Sequence, residues 1–536
     1  MRTIRDHHSG DLFDPWGFLG DKRRKLLDRS WSGVFREHLL EALPVAKLAQ
    51  HFHGQMGRPT KDLHGAMGVL ILQQLHDLTD AATVQALAFN IAWHYALDLR
   101  DGSDTYLCEK TLRNYRRLVI DHGLDELLFR SLTDRLIGAF EVDPAKQRLD
   151  STAIRSAMRN LTRLGIVVET IAKFLRELAR VEPGLHERVD AGLVRRYVER
   201  EGEGCFANTT PSESKRRLPE AGRDLLTLAV MFRGTQAATL DSFVILQRVL
   251  SEQFEVSDSP SDEGDPKPTL RVKEPHEIPC DNVCNPADPD SSYNKHRGQG
   301  YLTQVMETYQ QDDSDDPPIP KPDLITHVSV GKMTVHDGRC LEPAIEDVKA
   351  RQVQPQQLLA DTHYGSAQNV QGLSAQGVEL ISPAMPPKGS KQDQLALEQF
   401  ELDDQGRITR CPAGHEPLTA SLGKVRLQAR FDASICQSCS LLKRCPVRKT
   451  IERGESARYQ YTLQRVAMRA RRLADQTHEF KQVYRWRAGI EATMSRLKHQ
   501  MRLAHLRVRG LAAVTHRVLL RALGLNIHRC AAFVGP

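Results

Sequence analysis

The sequence predicts an α/β protein: a mixed sheet with flanking helices, interrupted by two insertions and preceded by an α-helical region. Three observations carry this. Two short extended stretches each end in an acid, Arg148-Leu149-Asp150 and the apolar run Gln357-Leu-Leu-Ala-Asp361. Strand-like and helix-like stretches alternate from Tyr301 to Ile381. Helical periodicity dominates the first 140 residues and the stretch from about 160 to 249.

In chain order, residues 1–140 read as helices. Met67 to Leu75 is uniformly apolar enough to be buried, and Thr79 is placed to cap the next helix. Thr111 to Val119 is a basic amphipathic helix. Its Arg113, Arg116 and Arg117 are candidates for phosphate contacts, or are solvated residues on the surface of a helical bundle. Around Asp150 the chain turns extended, and an aspartate before Ser151-Thr152 is often only a turn residue. Residues 159–252 return to helix. Residues 253–279, polar and rich in Pro and acid, read as a flexible linker. Strands are expected at Tyr301–Thr308, Leu324–Val330, Gln357–Asp361 and Val378–Ile381, with a helix over Leu341–Ala350 and an Asp-rich solvated loop at 312–318. Residues 386–476 form a cysteine-bearing insertion. The chain ends in a basic helical tail, 506–536, following a basic stretch from Met501 that also reads as helical.

At 536 residues the chain exceeds one compact core, so two to four structural units are expected. No run of 18 apolar residues occurs and the N-terminus lacks a signal-peptide core, which argues against a membrane span or export. From Lys443 to Arg529 there are 21 Lys+Arg against 5 Asp+Glu. The whole chain is only +6, so the remainder is net acidic. A basic segment on an acidic remainder points to a polyanion partner, DNA or RNA.

Four of the ten cysteines cluster: Cys411, Cys436 and Cys439 as a C-x2-C pair, and Cys445. They could hold a structural Zn2+, with His415 as a substitute ligand, or be reduced thiols without metal.

The stretch Tyr484–Lys498 organises the functional reading. On a helix of 100° per residue, Tyr484, Arg487, Glu491 and Lys498 fall within roughly 60°. One acid among two cations and a phenol suits an ion-binding carboxylate beside phosphate-binding groups; the plainer alternative is a surface Arg487–Glu491 pair.

The spacing Tyr-x2-Arg-x3-Glu-x6-Lys resembles the Y-R-E-K signature of DDE transposases of bacterial insertion sequences. Leu149-Asp150-Ser151-Thr152 and Asp361-Thr362-His363-Tyr364-Gly365 resemble that family's other two carboxylate motifs, in the same order, and the N-terminal region, with Gly57-Arg58-Pro59, is similar as well. The resemblance implies an RNase H-like catalytic core built from 141–158, 280–385 and 477–505, with a DNA-binding or dimerisation region at 1–140. It implies Asp150, Asp361 and Glu491 as catalytic acids holding two Mg2+ or Mn2+ ions. Tyr484, Arg487, Lys498 and Arg502 would contact DNA. The expected partners are double-stranded DNA (the element's terminal inverted repeats and target DNA) and a second copy of the chain, in the bacterial cytoplasm, nucleoid-associated when DNA-bound. No small-molecule substrate and no membrane are expected. A nuclease of the same fold without strand joining, and a non-catalytic DNA-binding regulator, are the alternatives.

Overall fold

The computed structural model describes residues 1–7, 14–100, 104–199, 210–259, 267–310, 320–386, 394–423, 426–454 and 456–534. The Asp-rich loop expected at 312–318 lies outside them.

The N-terminal helices include α1 (Leu63–Leu75), α2 (Asp80–Phe89), α3 (Glu109–Asp121) and α4 (Leu124–Ala139). Every residue of α1 is buried, as its apolar run requires. Thr79 caps α2 by accepting from the Ala82 N–H, in line with the sequence. At the end of α1 the His76 ring sits between Trp31 and Trp93, at centroid distances of 4.9 and 5.8 Å. Burial, with a smaller effect from His528, pushes its pKa down to about 4. In the unfolded chain it titrates near 6.5, so the unfolded state takes up the proton first. Stability present above pH 6.5 is therefore lost as pH falls toward 4, by at most about 3 kcal/mol from this group. Urea unfolding of His76→Leu should show a flatter slope than wild type in that window; equal slopes would remove His76 as the cause.

The central sheet contains β1 (Lys146–Ile154), β2 (Gly298–Thr308), β3 (Ile325–Lys332), β4 (Gln357–Ala360) and β5 (Glu379–Ile381). Its order is β3-β2-β1-β4-β5. β1, β2 and β3 pair antiparallel, whereas β4 and β5 run parallel to β1. The short strand Ser292–Asn294 pairs with the start of β2. Between β1 and β2 lie three long helices, α5 (Arg163–Val181), α6 (Pro211–Phe232) and α7 (Asp241–Gln253). Helix α8 (Leu341–Ala350) connects β3 to β4, and α9 (Ala367–Ser374) connects β4 to β5. Buried Leu358, Leu359 and Ala360 account for the apolar run that precedes Asp361, and Leu149 is buried before Asp150. A parallel strand has neighbours on both sides and needs apolar residues on both faces.

After the sheet come α10 (Leu463–Ala474), α11 (His478–Tyr484), α12 (Gly489–Ser495) and the C-terminal α13 (Leu511–Val534). Helix α13 packs on α1, α4 and β3. Buried Asn526 docks it: its amide accepts from Ile325 N–H (2.8 Å) and donates to Ile325 C=O (2.9 Å), satisfying the edge strand. One apolar core runs through the N-terminal helices, the sheet and α13. Residues 164–283 hold a second core, built largely from α5, α6 and α7. Residues 395–461 hold a third, against which Val466 of α10 packs.

Three expectations change. Within 253–279, Phe254–Ser259 and Lys267–Val272 form an antiparallel ribbon rather than an unstructured connector, with Phe254 buried in the second core; 260–266 lie outside the described residues. Met501–Gly510 is not helical. Arg502 has φ 51°, and the backbone of Ala504 to Val508 runs beside the end of β1, where Leu506 N–H donates to Arg155 C=O (2.8 Å). The basic tail does not present all its cations to solvent: Arg521, 2% exposed, pairs with Asp77, and buried Arg517 donates to Gln74 (3.0 Å). Among the described residues no helix is long and apolar enough to cross a membrane.

Candidate active site

The parallel register brings the two aspartates together. Leu149 of β1 lies opposite Ala360 of β4, so Asp150 and Asp361 are the next residues along two adjacent strands, at the C-terminal end of the parallel pair. Strand neighbours lie about 4.8 Å apart. Asp150 accepts from Ser151 N–H (2.8 Å) and Asp361 from His363 N–H (2.8 Å). The turn after Asp361 is fixed by Ser382, whose hydroxyl donates to the Asp361 carbonyl (2.6 Å), and leads to the cap of α9 at Ser366.

Glu491 stands in the first turn of α12, its side chain 68% exposed. Arg487 links it to the sheet: Nη2 lies 2.6 Å from Asp150 Oδ2 and Nη1 lies 3.1 Å from Glu491 Oε1. The helical run expected over Tyr484–Lys498 is present but not uniform. Helix α11 ends at Tyr484, a 3-10 turn covers Arg485–Ala488, and a π turn covers Arg496–Gln500. A single 100° stripe therefore does not describe it. Tyr484 is half-buried and stacks on Phe480 at 5.4 Å. Burial raises its hydroxyl pKa; Arg487 opposes this, while Asp361 and Asp150 add to it. Lys498 is half-buried on the same run.

Sequence reasoning missed a fourth acid. Asp337, buried in a 3-10 turn before α8, pairs with Arg297 (2.8 Å) and accepts from Gln304 (3.3 Å). Tyr364 in turn donates to Gln304. Burial raises the Asp150 pKa; Arg487 and the Ser151 amide oppose this, and Asp361 and Asp337 add to it. Several carboxylates thus share one field, with Arg487 and Arg297 as counter-charges. Only the basic turn around Arg297 is visible as a signal, and nothing in the sequence ties it to Asp337.

A buried network holds α12 against the sheet. Arg148 of β1 donates to Glu307 (2.7 Å), Asp323 (3.0 Å) and the Trp486 carbonyl (3.0 Å). Thr493 of α12 donates to the same Glu307 (2.6 Å), and so does Arg529 of α13 (2.9 Å).

The other candidates divide. Arg113 and Arg117 are exposed on α3, whereas Arg116 is tied to Asp80 and Gln73 and braces α3 against α1 and α2. Arg502 is 73% exposed, 3.6 Å from Asp77. Cys411, Cys436, Cys439 and Cys445 line one small cavity with His415. Burial pushes the Cys436 thiol up to about 11, and the other three thiols add to this. Among the described residues, one group of three His, Cys, Asp or Glu side chains has its donor atoms within 4.8 Å of one another, and it is neither the acids nor the thiols but His7, Asp62 and His64.

Residues 410–531 match the family model "Transposase DDE domain", a span that contains Glu491, Lys498 and the four clustered cysteines. Residues 25–118 match "Transposase domain (DUF772)". No curated protein and no solved structure gives a match. Asp150 and Asp361 lie outside both matched spans and stand on the strand geometry alone. Transposase regions are thus matched toward both ends of the chain, which is consistent with a DDE transposase of insertion-sequence type.

Proposed function

We propose that this protein cuts DNA at the ends of its own insertion sequence and joins the freed 3′ ends to target DNA, with Asp150, Asp361 and Glu491 as the catalytic acids. The observation that carries the reading is the β1–β4 register, which sets Asp150 beside Asp361, together with the Arg487 bridge from Asp150 to Glu491. The strand order, with three antiparallel strands and two parallel to the first, supports an RNase H-like core.

The donor set fits hard divalent cations: three carboxylates, with Arg487 already supplying positive charge between two of them. Bound Mg2+ or Mn2+, two ions on this reading, would stabilise charge on the attacking and leaving oxygens of an in-line displacement at phosphorus. Asp150 and Asp361 hold position through their backbone hydrogen bonds. Arg487, once released from the acids, and Lys498 bind phosphate oxygens near the cut. Tyr484 stacks on or hydrogen-bonds an extruded nucleotide. Exposed Arg113, Arg117 and Arg502 contact the backbone of terminal-repeat DNA. The protein works as a dimer on DNA in the cytoplasm, associated with the nucleoid. The four clustered thiols, which line one cavity, would be the ligands of a separate structural zinc if one is bound there.

The test uses labelled DNA carrying the element's own ends, with and without Mg2+. Cutting with joining supports this reading. Cutting without joining supports a nuclease of the same fold, and tight binding with neither supports a regulator. Arg487→Ala gives an independent check on the acids. It removes the cation that competes for them, so the Mn2+ midpoint in a thermal-shift titration should fall severalfold relative to wild type. An unchanged midpoint would place the ion elsewhere.

A further inference from the structure

We propose that His7, Asp62 and His64 form a binding site for a Zn2+-type divalent ion that staples the N-terminal strap to the first turn of α1. Residues 1–7 run along the segment before α1. Thr60 N–H donates to Met1 C=O (2.8 Å), Leu63 N–H donates to Thr3 C=O (3.1 Å), and Arg5 N–H donates to Asp62 Oδ1 (2.9 Å). This run delivers His7 to Asp62, which caps α1 by accepting from Gly65 N–H (3.0 Å), and to His64 in the first turn.

The donor atoms converge. His7 Nε2 lies 3.6 Å from Asp62 Oδ2, and His64 Nδ1 lies 3.7 Å from Asp62 Oδ1. All three donors fall within 4.8 Å of one another, and the two rings meet edge to face at 4.9 Å. Around zinc, with bonds of about 2.0–2.1 Å, tetrahedral donors sit roughly 3.3 Å apart. Each histidine must therefore close on the carboxylate by a few tenths of an ångström, and the widest donor pair by up to about 1.5 Å, within reach of side-chain rotation. The side chains are 3%, 6% and 10% exposed for His7, Asp62 and His64. His7 Nε2 and His64 Nδ1 are both buried without a hydrogen-bond partner. Buried polar atoms are rarely left so, and two of them aimed at one carboxylate make a place for a shared cation.

The surroundings orient the ligands. Asp98 Oδ2 lies 3.3 Å from His7 Nδ1, leaving Nε2 to face Asp62. Asp98 is itself held by Arg36 (2.8 Å), Arg100 (2.6 Å) and the Trp16 indole N–H (3.2 Å). A carboxylate on the far nitrogen of a ligating histidine is the usual support of a zinc site. Two imidazoles and one carboxylate are borderline donors, which favours Zn2+ over Mg2+ and leaves a fourth position for water. The rival occupant is a proton on His7, bridging Asp62 and Asp98. His7 also lies outside the matched span 25–118, so the third ligand comes from the strap.

The test is metal content, not activity. Full-length protein is stripped with chelator, reloaded with Zn2+ alone and counted, in a Cys436→Ser/Cys439→Ser background and in the unaltered chain. His7→Gln and His64→Ala should each lose one equivalent relative to their parent and lose the Zn2+-dependent rise in Tm, with unchanged circular dichroism. Co2+ loading separates this site from the cysteines, because the band lost on His7→Gln should lack thiolate charge transfer. Equal Zn2+ content and equal Tm shifts in parent and both variants would overturn the proposal and leave the proton bridge.

Discussion

Asp150→Asn and Glu491→Gln should each reduce metal-dependent cutting and joining at the element ends by roughly 1000-fold or more, with DNA binding retained. A factor of that size corresponds to about 4 kcal/mol of lost transition-state stabilisation, the scale expected when a positioned charge is removed from a phosphoryl-transfer site. Both changes keep side-chain shape. In Asp150→Asn the amide oxygen would still accept from Ser151 N–H. The stability readout separates a catalytic role from a structural one. Asp150 is a half-buried acid whose pKa is raised by burial and further by Asp361 and Asp337. Removing its charge relieves repulsion but forfeits the Arg487 pair, so Tm should change by no more than a few degrees. Glu491 is largely exposed, so its replacement should leave Tm unmoved. Lost activity with a preserved Tm supports the three-acid site. Activity equal to wild type in Glu491→Gln would remove Glu491 from it. A fall of ten degrees or more in Asp150→Asn would make Asp150 a fold-stabilising residue instead.

What is legible in the sequence is local, and what it hides is non-local. Leu341–Ala350 reads as a helix from its own apolar spacing and is one, residue for residue. The strand before Asp361 is visible because its apolar run is short and ends in a polar turn, and the one before Asp150 only as an extended stretch around Leu149. Pairing of Leu149 with Ala360 is a contact across 211 positions, and no local pattern encodes it. The same holds for Arg297 with Asp337, and for Arg521 with Asp77 across 444 positions. Charge counting also misleads. Arg116, Arg517 and Arg521 count toward a basic surface, yet their guanidinium groups tie helices and turns together inside the molecule. An arginine reads the same in sequence whether it faces solvent or an internal carboxylate. Met501–Gly510 deceives for a related reason. Its apolar residues Leu503 and Leu506, at helical spacing, are buried by an extended segment whose backbone partners come from Arg155 and Ala157.

The second large effect is expected at Gly489, and its sign should depend on Arg148. A Cβ built on Gly489 would stand 2.0 Å from Arg148 Nη1 and 2.6 Å from its Cζ. The guanidinium cannot simply swing away. It is held by Glu307, Asp323 and the Trp486 carbonyl, and Glu307 is fully buried. Gly489→Ala must therefore break part of this network or push α12, with Glu491, off the sheet. Leaving a buried ion pair incomplete costs about 3–5 kcal/mol, so urea unfolding should show a loss of that order, accompanied by loss of cutting. In an Arg148→Met background the obstructing guanidinium is gone. There the same Gly→Ala change meets only its helix propensity, which favours alanine by up to about 1 kcal/mol. The double-mutant cycle should thus give a coupling of several kcal/mol, with Gly489→Ala destabilising in one background and neutral or stabilising in the other. Additive losses would mean that Arg148 does not set the position of α12, and that Glu491 reaches the sheet by some other support.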